Sequence, residues 1–354
     1  MTNDKGILIK NIYYMLSYAF RILKEENYDE VEAEDFENIQ DLFAAILGRG
    51  ISRQLKHGLY REYITLEENR KALRGKLMLQ GTIRNKMQKK LLLDCEFDEL
   101  SVDNIYNQIL KTTMHYLVRH ANVKAEHKEQ LKKNLLFFDE VHLLQVAEIR
   151  WDALRFTKNN QEYRMLINVC NLVLDGLLLS TEKGTYKMAN FLDEQKMHRL
   201  YEKFILEYYR YHYPQLHANP DQIEWNTDDG IIAYLPAMQT DITLKAGGKT
   251  LIIDAKYYAK TMQTQFDVSS LHSANLYQIF TYVKNLDVNN TGNVAGMLLY
   301  AKTQEDITPN FHYQMAGNHI SVTTLDLNQP FSMISSTLNS IVENYFMRVA
   351  SPQI

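Results

Sequence analysis

Cysteine is scarce in this 354-residue chain, which contains only Cys95 and Cys170 and has no C-x-x-C spacing. Two cysteines this far apart argue against a disulfide framework or a zinc knuckle, and they favour a reducing compartment. No uninterrupted apolar run reaches the roughly 18 residues that a membrane span needs. The N-terminal MTNDKGILIKNIYY also lacks the apolar region and cleavage site of a signal peptide. We therefore expect a cytoplasmic protein without a membrane partner.

The chain also lacks an overall excess of positive charge, since its formal net charge is -4. A local excess does occur between residues 49 and 90, where twelve Lys and Arg residues stand against Glu62, Glu67 and Glu68. Such a segment can contact phosphates, can meet an acidic surface on a protein partner, or can simply be a solvated face. The sequence leaves these three interpretations open.

Two domains are expected from the change of pattern along the chain. Residues 1–165 predict an α+β domain with a basic β-element at about 49–90, in which REYITLEE and GKLMLQGTI are strand-like. Residues 166–354 predict an α/β domain with a central mixed sheet flanked by helices. Its expected helices cover 192–213, 268–286 and 330–348, and its expected strands cover 222–226, 231–235, 238–245, 249–257, 293–301, 311–315 and 318–325.

The segment MQTDITLKAGGKTLIIDAKYY, residues 238–258, carries the most informative pattern. Gly-Gly between two strand-like runs predicts a hairpin, because the favoured two-residue turns need positive φ. If Gly247 and Gly248 form that turn, Asp241 lies opposite Asp254. Opposed residues of an antiparallel pair have Cβ atoms about 5 Å apart on one face, and side-chain alternation places Lys256 on the same face as Asp254.

Two opposed carboxylates repel each other unless a cation compensates them. Carboxylates completed by water and phosphate are the ligands that Mg²⁺ prefers. An ammonium beside them can orient an attacking water or neutralise charge in the transition state. The pattern therefore predicts metal-assisted phosphodiester hydrolysis, although an isolated Asp-x-Lys on a strand is more often solvated.

Two other patterns are excluded as sites. GGKT at 247–250 does not complete a P-loop, because position 243 is Thr243 where a glycine is required. The histidines His57, His115, His120 and His272 lack metal-ligand spacing. Any GTP is thus expected to be bound by a partner and not by this chain.

Asp241, the hairpin and the following Asp254-Ala255-Lys256 resemble the PD-(D/E)XK nuclease core. That resemblance implies that Asp241 and Asp254 bind the metal and that Lys256 is catalytic. It departs from the pattern in having no proline directly before the first acid, since the nearest is Pro236. In the following HSANLYQIFTYV segment, Gln278 and Tyr282 resemble the Gln-x-x-x-Tyr motif of the RecB-like branch, with Asn275, Gln278 and Tyr282 expected opposite a buried stripe. Glu202 resembles the helical glutamate that some members add as a metal ligand.

A wider resemblance involves IKNIYYMLSYAF, the RGKL at 74–77, TDIT with LIIDAKYY, and HSANLYQ, which occur in the order found in the McrC family. These are the nuclease subunits of McrBC modification-dependent restriction systems. The resemblance implies double-stranded DNA as substrate and an McrB-like AAA+ GTPase hexamer as partner. Arg74 and Lys76 are the candidate partner contacts, and Arg74 could assist GTP hydrolysis in trans. The alternative is a non-catalytic GTPase-activating subunit with a degenerate nuclease fold.

Overall fold

A computed structural model describes residues 3–4, 7–19, 36, 38–157, 160, 162–181, 194–257, 262–265, 268–302 and 309–347. The chain divides into two compact units, one formed by residues 1–42 with 190–354 and the other by residues 43–189. This differs from the single boundary expected near residue 165. Among the described residues, no helix is both long and apolar enough to cross a bilayer.

The N-terminal segment forms β1 (Asn3–Asp4), β2 (Ile7–Leu8) and α1 (Ile9–Ala19). It belongs to the unit that also holds the C-terminal residues, because long-range hydrogen bonds attach it there. The Leu8 amide donates to the Leu327 carbonyl at 3.0 Å, and Asn11 Nδ2 donates to the same carbonyl at 2.8 Å. The Tyr14 ring also stacks on Phe331, with centroids 4.2 Å apart. These contacts explain why sequence position misplaced the domain boundary.

The middle unit contains helices and a small antiparallel sheet. The sheet has the order β3-β5-β4, so the last strand lies between the first two. In chain order the elements are α2 (Ile39–His57), β3 (Glu62–Arg70), β4 (Lys76–Leu77), α3 (Leu79–Met87), β5 (Leu93–Ser101), α4 (Ile105–Arg119), α5 (Ala125–Leu135) and α6 (Tyr163–Thr181).

The predicted basic β-element is only partly confirmed. REYITLEE overlaps the strand β3, but residues 49–57 continue the helix α2. GKLMLQGTI supplies only the two-residue strand β4 before the helix α3 begins at Leu79. The unpredicted strand β5 contributes acidic residues to the same sheet, including Glu96 and Glu99. The folded sheet therefore carries both positive and negative side chains, although the segment 49–90 taken alone is basic.

The C-terminal part contains α7 (Glu194–His212), α8 (Ser273–Leu286) and α9 (Phe331–Val342). Its strands are β6 (Gln222–Ile223), β7 (Met238–Gln239), β8 (Ile242–Ala246), β9 (Lys249–Lys256), β10 (Met262–Gln265), β11 (Val268–Leu271), β12 (Val294–Lys302), β13 (Phe311–Met315) and β14 (Asn318–Asp326).

The expected central mixed sheet is present and has the order β13-β14-β12-β9-β8. β9 and β12 are parallel, as are β12 and β14, while both edge strands are antiparallel to their neighbours. Because parallel strands need a crossover, α8 connects β9 to β12. It packs on the sheet through Ile279 and Val283, in one core with Ile252, Leu298 and Ile320.

Gly296 permits the close approach of α8 to the sheet. A Cβ added there would lie 2.7 Å from an Ile279 side-chain carbon and 2.9 Å from a Val283 side-chain carbon. Glycine is therefore required because the helix lies directly on the strand backbone. This packing sets how closely α8 approaches the strand β12.

Two C-terminal expectations were wrong. The run 231–235 forms an exposed loop, with Ile231 and Ile232 more than half exposed. The predicted helix 268–286 begins only at Ser273, since Val268–Leu271 pairs with Met262–Gln265. The composition of these two segments does not decide their secondary structure, because strand formation depends on whether a neighbouring strand is available for pairing.

The turn after α8 is held by the buried carboxylate of Asp287. Burial by itself would raise its pKa, but hydrogen bonds from Asn318, Thr291 and the Gly292 amide hold the pKa of Asp287 at about 2. A depressed pKa means that this carboxylate stabilises the fold above its ordinary pKa and loses that contribution as pH falls from about 4 towards 2.

We expect Asp287→Asn to lower the free energy of unfolding at pH 7 by about 1–3 kcal/mol, because an amide cannot accept all of these hydrogen bonds. Urea unfolding at pH 7 and at pH 3 measures it. The deficit relative to the unmodified protein should shrink at pH 3, and an equal deficit at both values would contradict this account.

Candidate active site

The hairpin between β8 and β9 forms with the predicted register. Ala246 pairs with Lys249 and Ile242 pairs with Ile253, and both turn glycines have positive φ, +56° and +77°. Asp241 lies one residue before the ladder begins, so it is not itself a strand residue. Its Oδ2 accepts a hydrogen bond from the Ala255 amide at 2.9 Å, which ties its carboxylate to β9 beside Asp254.

Asp254 and Lys256 form a buried ion pair on β9. Lys256 Nζ lies 2.9 Å from Asp254 Oδ2, and their side chains are 8% and 1% exposed. Within the described part of the chain, no hydrogen-bond donor reaches Asp254 Oδ1. An unsatisfied carboxylate oxygen buried beside an ammonium is costly, so this arrangement suits a group that binds a further positive charge.

Electrostatics at this site disfavour full ionisation. Burial raises the pKa of Asp254 to about 7, Lys256 opposes the rise, and Asp241 adds to it. The Asp241 carboxylate, held against β9 by the Ala255 amide, is close enough to raise the pKa of Asp254. A like charge at this range favours retention of a proton by one of the pair, and a bound cation would remove that preference.

Glu202 on α7 belongs to the same electrostatic environment. Burial raises its pKa to about 7, with Asp241 adding to the rise and Lys256 and Arg199 opposing it. His198 Nε2 lies 3.0 Å from Glu202 Oε1. Sequence analysis did not identify His198, although its spacing of four residues from Glu202 places both on one face of a helix.

The donor set fits a hard divalent cation that keeps several of its own waters. Among the described residues, no three His, Cys, Asp or Glu side chains are arranged to hold an ion alone. Mg²⁺ needs only one or two carboxylates when water and phosphate complete its coordination. Asp241 and Asp254 supply such a pair, and Asp254 Oδ1 is a buried oxygen that no donor reaches among the residues described.

The helix α8 extends the site on the far side of Lys256. Gln278 Oε1 lies 3.4 Å from Lys256 Nζ and accepts a hydrogen bond from it, and Gln278 Nε2 donates to the Tyr282 hydroxyl at 2.9 Å. The expectation that Gln278 lies on a polar face of the helix is confirmed. Asn275 and Tyr282 are buried, because Asn275 Nδ2 donates to the Tyr300 hydroxyl at 2.9 Å and Tyr282 packs in the sheet core.

Arg74 and Lys76 lie in the middle unit, which does not contain these acidic residues. The Arg74 guanidinium lies 4.0 Å from the Phe97 ring centroid and 3.3 Å from Glu99. Lys76 Nζ lies 2.9 Å from Glu96 Oε1. Both remain surface side chains whose charge is partly balanced by β5, and their role as partner contacts stays a prediction.

Residues 3–301 match the model of the family described as McrBC 5-methylcytosine restriction system component. The chain belongs to this family. The matched range covers the hairpin with Asp241 and Asp254, as well as Lys256, Gln278 and the RGKL segment.

One curated relative of this McrBC-family chain is the type IV methyl-directed restriction enzyme EcoKMcrBC of Escherichia coli strain K12. It is 28% identical over 343 residues, which cover 96% of this chain and 98% of the relative. A solved structure from Thermococcus gammatolerans, McrB AAA+ hexamers with bound McrC, matches with a TM-score of 0.50 at 17% identity. That match covers 95% of this chain and 75% of the other, and it supports the fold.

Proposed function

We propose that this McrBC-family chain is a Mg²⁺-dependent endodeoxyribonuclease with a PD-(D/E)XK-type site. The observation that carries the proposal is the buried pair Asp254–Lys256 at 2.9 Å, with the Asp241 carboxylate brought beside it across the hairpin turn. A buried acid pair beside an ammonium is expensive for a structural role alone. It suits chemistry on a phosphodiester, where negative charge develops.

Asp241 and Asp254 would hold Mg²⁺, with Glu202 as a further carboxylate at the edge of the site; when bound, the ion supplies Lewis acidity and an acidified water. Lys256 places its ammonium next to Asp254, where it can neutralise charge on the attacked phosphate or orient water. Gln278 holds the Lys256 ammonium from the helix side, and the Tyr282 hydroxyl fixes the Gln278 amide. Lys256 is therefore held in one orientation before substrate arrives.

The same proposal places the chain in a GTP-dependent complex that cuts DNA near modified cytosine. Family membership and the methyl-directed E. coli relative support the substrate. The solved AAA+ hexamers with bound McrC support an McrB-like partner, which would bind the GTP. The GGKT segment of this chain is the hairpin turn itself and offers no helix N-terminus to a phosphate. We further propose that the middle unit docks on the partner and stimulates its GTP hydrolysis.

The test combines the full chain with the AAA+ subunit of the same restriction system, GTP, Mg²⁺ and double-stranded DNA containing 5-methylcytosine. Double-strand cleavage and GTP turnover are measured in one reaction. We expect cleavage that is lost with EDTA or with unmethylated DNA.

The alternative is a bridging subunit that activates the GTPase without cutting, and the basic segment 49–90 is the feature that favours it. Stimulated GTP turnover without any cleavage, across Mg²⁺ and Mn²⁺, would support that alternative and reject the nuclease. The intact Asp241, Asp254 and Lys256 argue for the nuclease.

A further inference from the structure

The helix α3 in the middle unit is attached to its sheet by its polar face. The Met78 amide donates to the Asp94 carbonyl at 2.8 Å, and Thr82 Oγ1 accepts from the Asp94 amide at 2.9 Å. Asn85 is buried and donates to the Asn69 side chain. Gly81 lies so close to Asp94 that a Cβ would overlap its carboxylate. The contacts of Gly81, Thr82 and Asn85 therefore fix this helix.

The opposite face of α3 is apolar and open to solvent. Leu79, Ile83 and Met87 recur every four residues and are 67%, 58% and 81% exposed. At 100° per residue these three positions form one stripe, on the side of the helix away from Gly81, Thr82 and Asn85. A helix normally buries its apolar stripe and exposes its polar face, so α3 has the reverse orientation. Contiguous exposed apolar surface is a feature of interaction sites.

Positive charge borders the stripe. Arg84 and Lys86 lie on α3 to either side of it, and Lys89 and Lys90 follow the helix; all four are exposed. The occupant must therefore present apolar groups surrounded by acidic ones. Nucleic acid would use the cations but not three large apolar side chains. A membrane surface requires a larger apolar face than a nine-residue helix provides.

We propose that the stripe Leu79–Ile83–Met87 is the anchor by which this chain docks in an acid-rimmed apolar groove of its AAA+ partner. This inference rests on the proposed function, because it assigns a surface to the partnership proposed above. Lys76 on β4 and Arg74 in the connection before it are already paired with Glu96 and Glu99, respectively. The stripe thus provides apolar binding energy, while the cations around it direct the approach.

The test measures binding of the full chain to AAA+ rings assembled with a non-hydrolysable GTP analogue. We expect the triple variant Leu79→Gln, Ile83→Gln, Met87→Gln to weaken binding by roughly 100-fold, because central apolar anchors dominate interface energy. The unfolding midpoint should be unchanged, since these side chains are exposed in the free chain. The double variant Ile231→Gln, Ile232→Gln is the matched control, because both side chains are similarly exposed in the other unit. It should bind like the unmodified chain.

A second variant tests the charge argument. Arg84→Glu with Lys86→Glu should weaken binding most at low ionic strength, because screening removes the contribution of exposed charges. Binding of the triple variant at the unmodified affinity overturns the proposal and leaves the nuclease assignment intact. The proposal is also overturned if the triple variant binds the rings normally but no longer binds anionic vesicles or duplex DNA. That result would identify the membrane or the nucleic acid as the partner of the stripe. An unmodified chain that cuts DNA but does not bind the rings rejects the partnership, not the active site.

Discussion

Asp254→Asn should abolish DNA cleavage without destabilising the protein. The substitution keeps the shape of the side chain but removes the buried carboxylate that faces Lys256 and Asp241. Loss of a residue that only hydrogen-bonds to a metal ligand already costs about 10–100-fold in metal affinity or activity, so loss of a proposed ligand should cost at least about 100-fold in cleavage rate. In the metal-free protein, the substitution relieves repulsion between Asp241 and Asp254.

Asp254→Asn should therefore lower the cleavage activity without lowering the stability of the metal-free protein. Because the pKa of Asp254 is raised, its ionised form is disfavoured in the folded state, and the stability of the metal-free protein should fall as pH rises from about 4 to about 7. Asp254→Asn removes this contribution to the pH dependence. The unfolding midpoint should equal or exceed that of the unmodified protein at pH 7, as expected where function requires an unfavourable charge.

Thermal unfolding from pH 4 to pH 8, with and without Mg²⁺, measures both effects. Mg²⁺ should raise the midpoint of the unmodified protein and have little effect on Asp254→Asn. Asp221→Asn is the control, since Asp221 pairs with Lys245 at the surface at 2.6 Å and should leave cleavage intact. Normal cleavage by Asp254→Asn would remove the active-site assignment.

Lys256→Met should abolish cleavage and also destabilise the fold, unlike Asp254→Asn. Methionine matches the length of the lysine stem but leaves the Asp254 carboxylate buried without its ammonium. Breaking a buried pair by removing one partner costs about 3–5 kcal/mol. The asymmetry arises because Lys256 retains Gln278 and nearby acids when Asp254 becomes neutral, whereas Asp254 has Asp241 as its neighbour when Lys256 is lost.

The stability lost in Lys256→Met should be smaller at pH 5 than at pH 8. Without the ammonium, the pKa of Asp254 rises further, so protonation at pH 5 neutralises the orphaned carboxylate and restores much of the stability. Urea unfolding at pH 5 and pH 8 measures the difference. Lys302→Met is the matched control, because Lys302 pairs with Asp326 at 3.1 Å on a neighbouring strand but is partly exposed; it should cost at most about 1 kcal/mol. Equal losses for the two variants at pH 8 would show that the Asp254–Lys256 pair has no special energetic role.

The local geometry of the site could be predicted from the sequence because short-range rules decide it. Two glycines specify the turn, the turn specifies the register, and alternation places Lys256 beside Asp254. Asp241 falls one residue outside the ladder, yet its hydrogen bond to the Ala255 amide brings it to the expected side. Glu202 lies in the same electrostatic environment, since its pKa responds to both Asp241 and Lys256.

Features set by distant or missing neighbours could not be predicted. The segment 231–235 has the composition of a strand but finds no strand to pair with, and its side chains remain in solvent. Leu79 and Ile83 belong to the strand-like run GKLMLQGTI, yet they are helical because Thr82 and Asn85 of the same helix bond to β5 and β3. Partners three hundred residues away, such as Asn11 with Leu327, leave no trace in a local pattern.

The attachment of residues 1–42 to the C-terminal part makes the middle unit an insertion within the unit that holds Asp241, Asp254 and Lys256. A fragment starting at residue 166 would lose α1, and with it the aromatic contacts of Tyr18 with Phe204 and Tyr208. The apolar surface of α7 that contacts Tyr18 would then be exposed to solvent. Cutting the chain once cannot separate the two units. A chain without the middle unit is obtained only by removing the internal residues 43–189, as for any domain that carries an inserted domain.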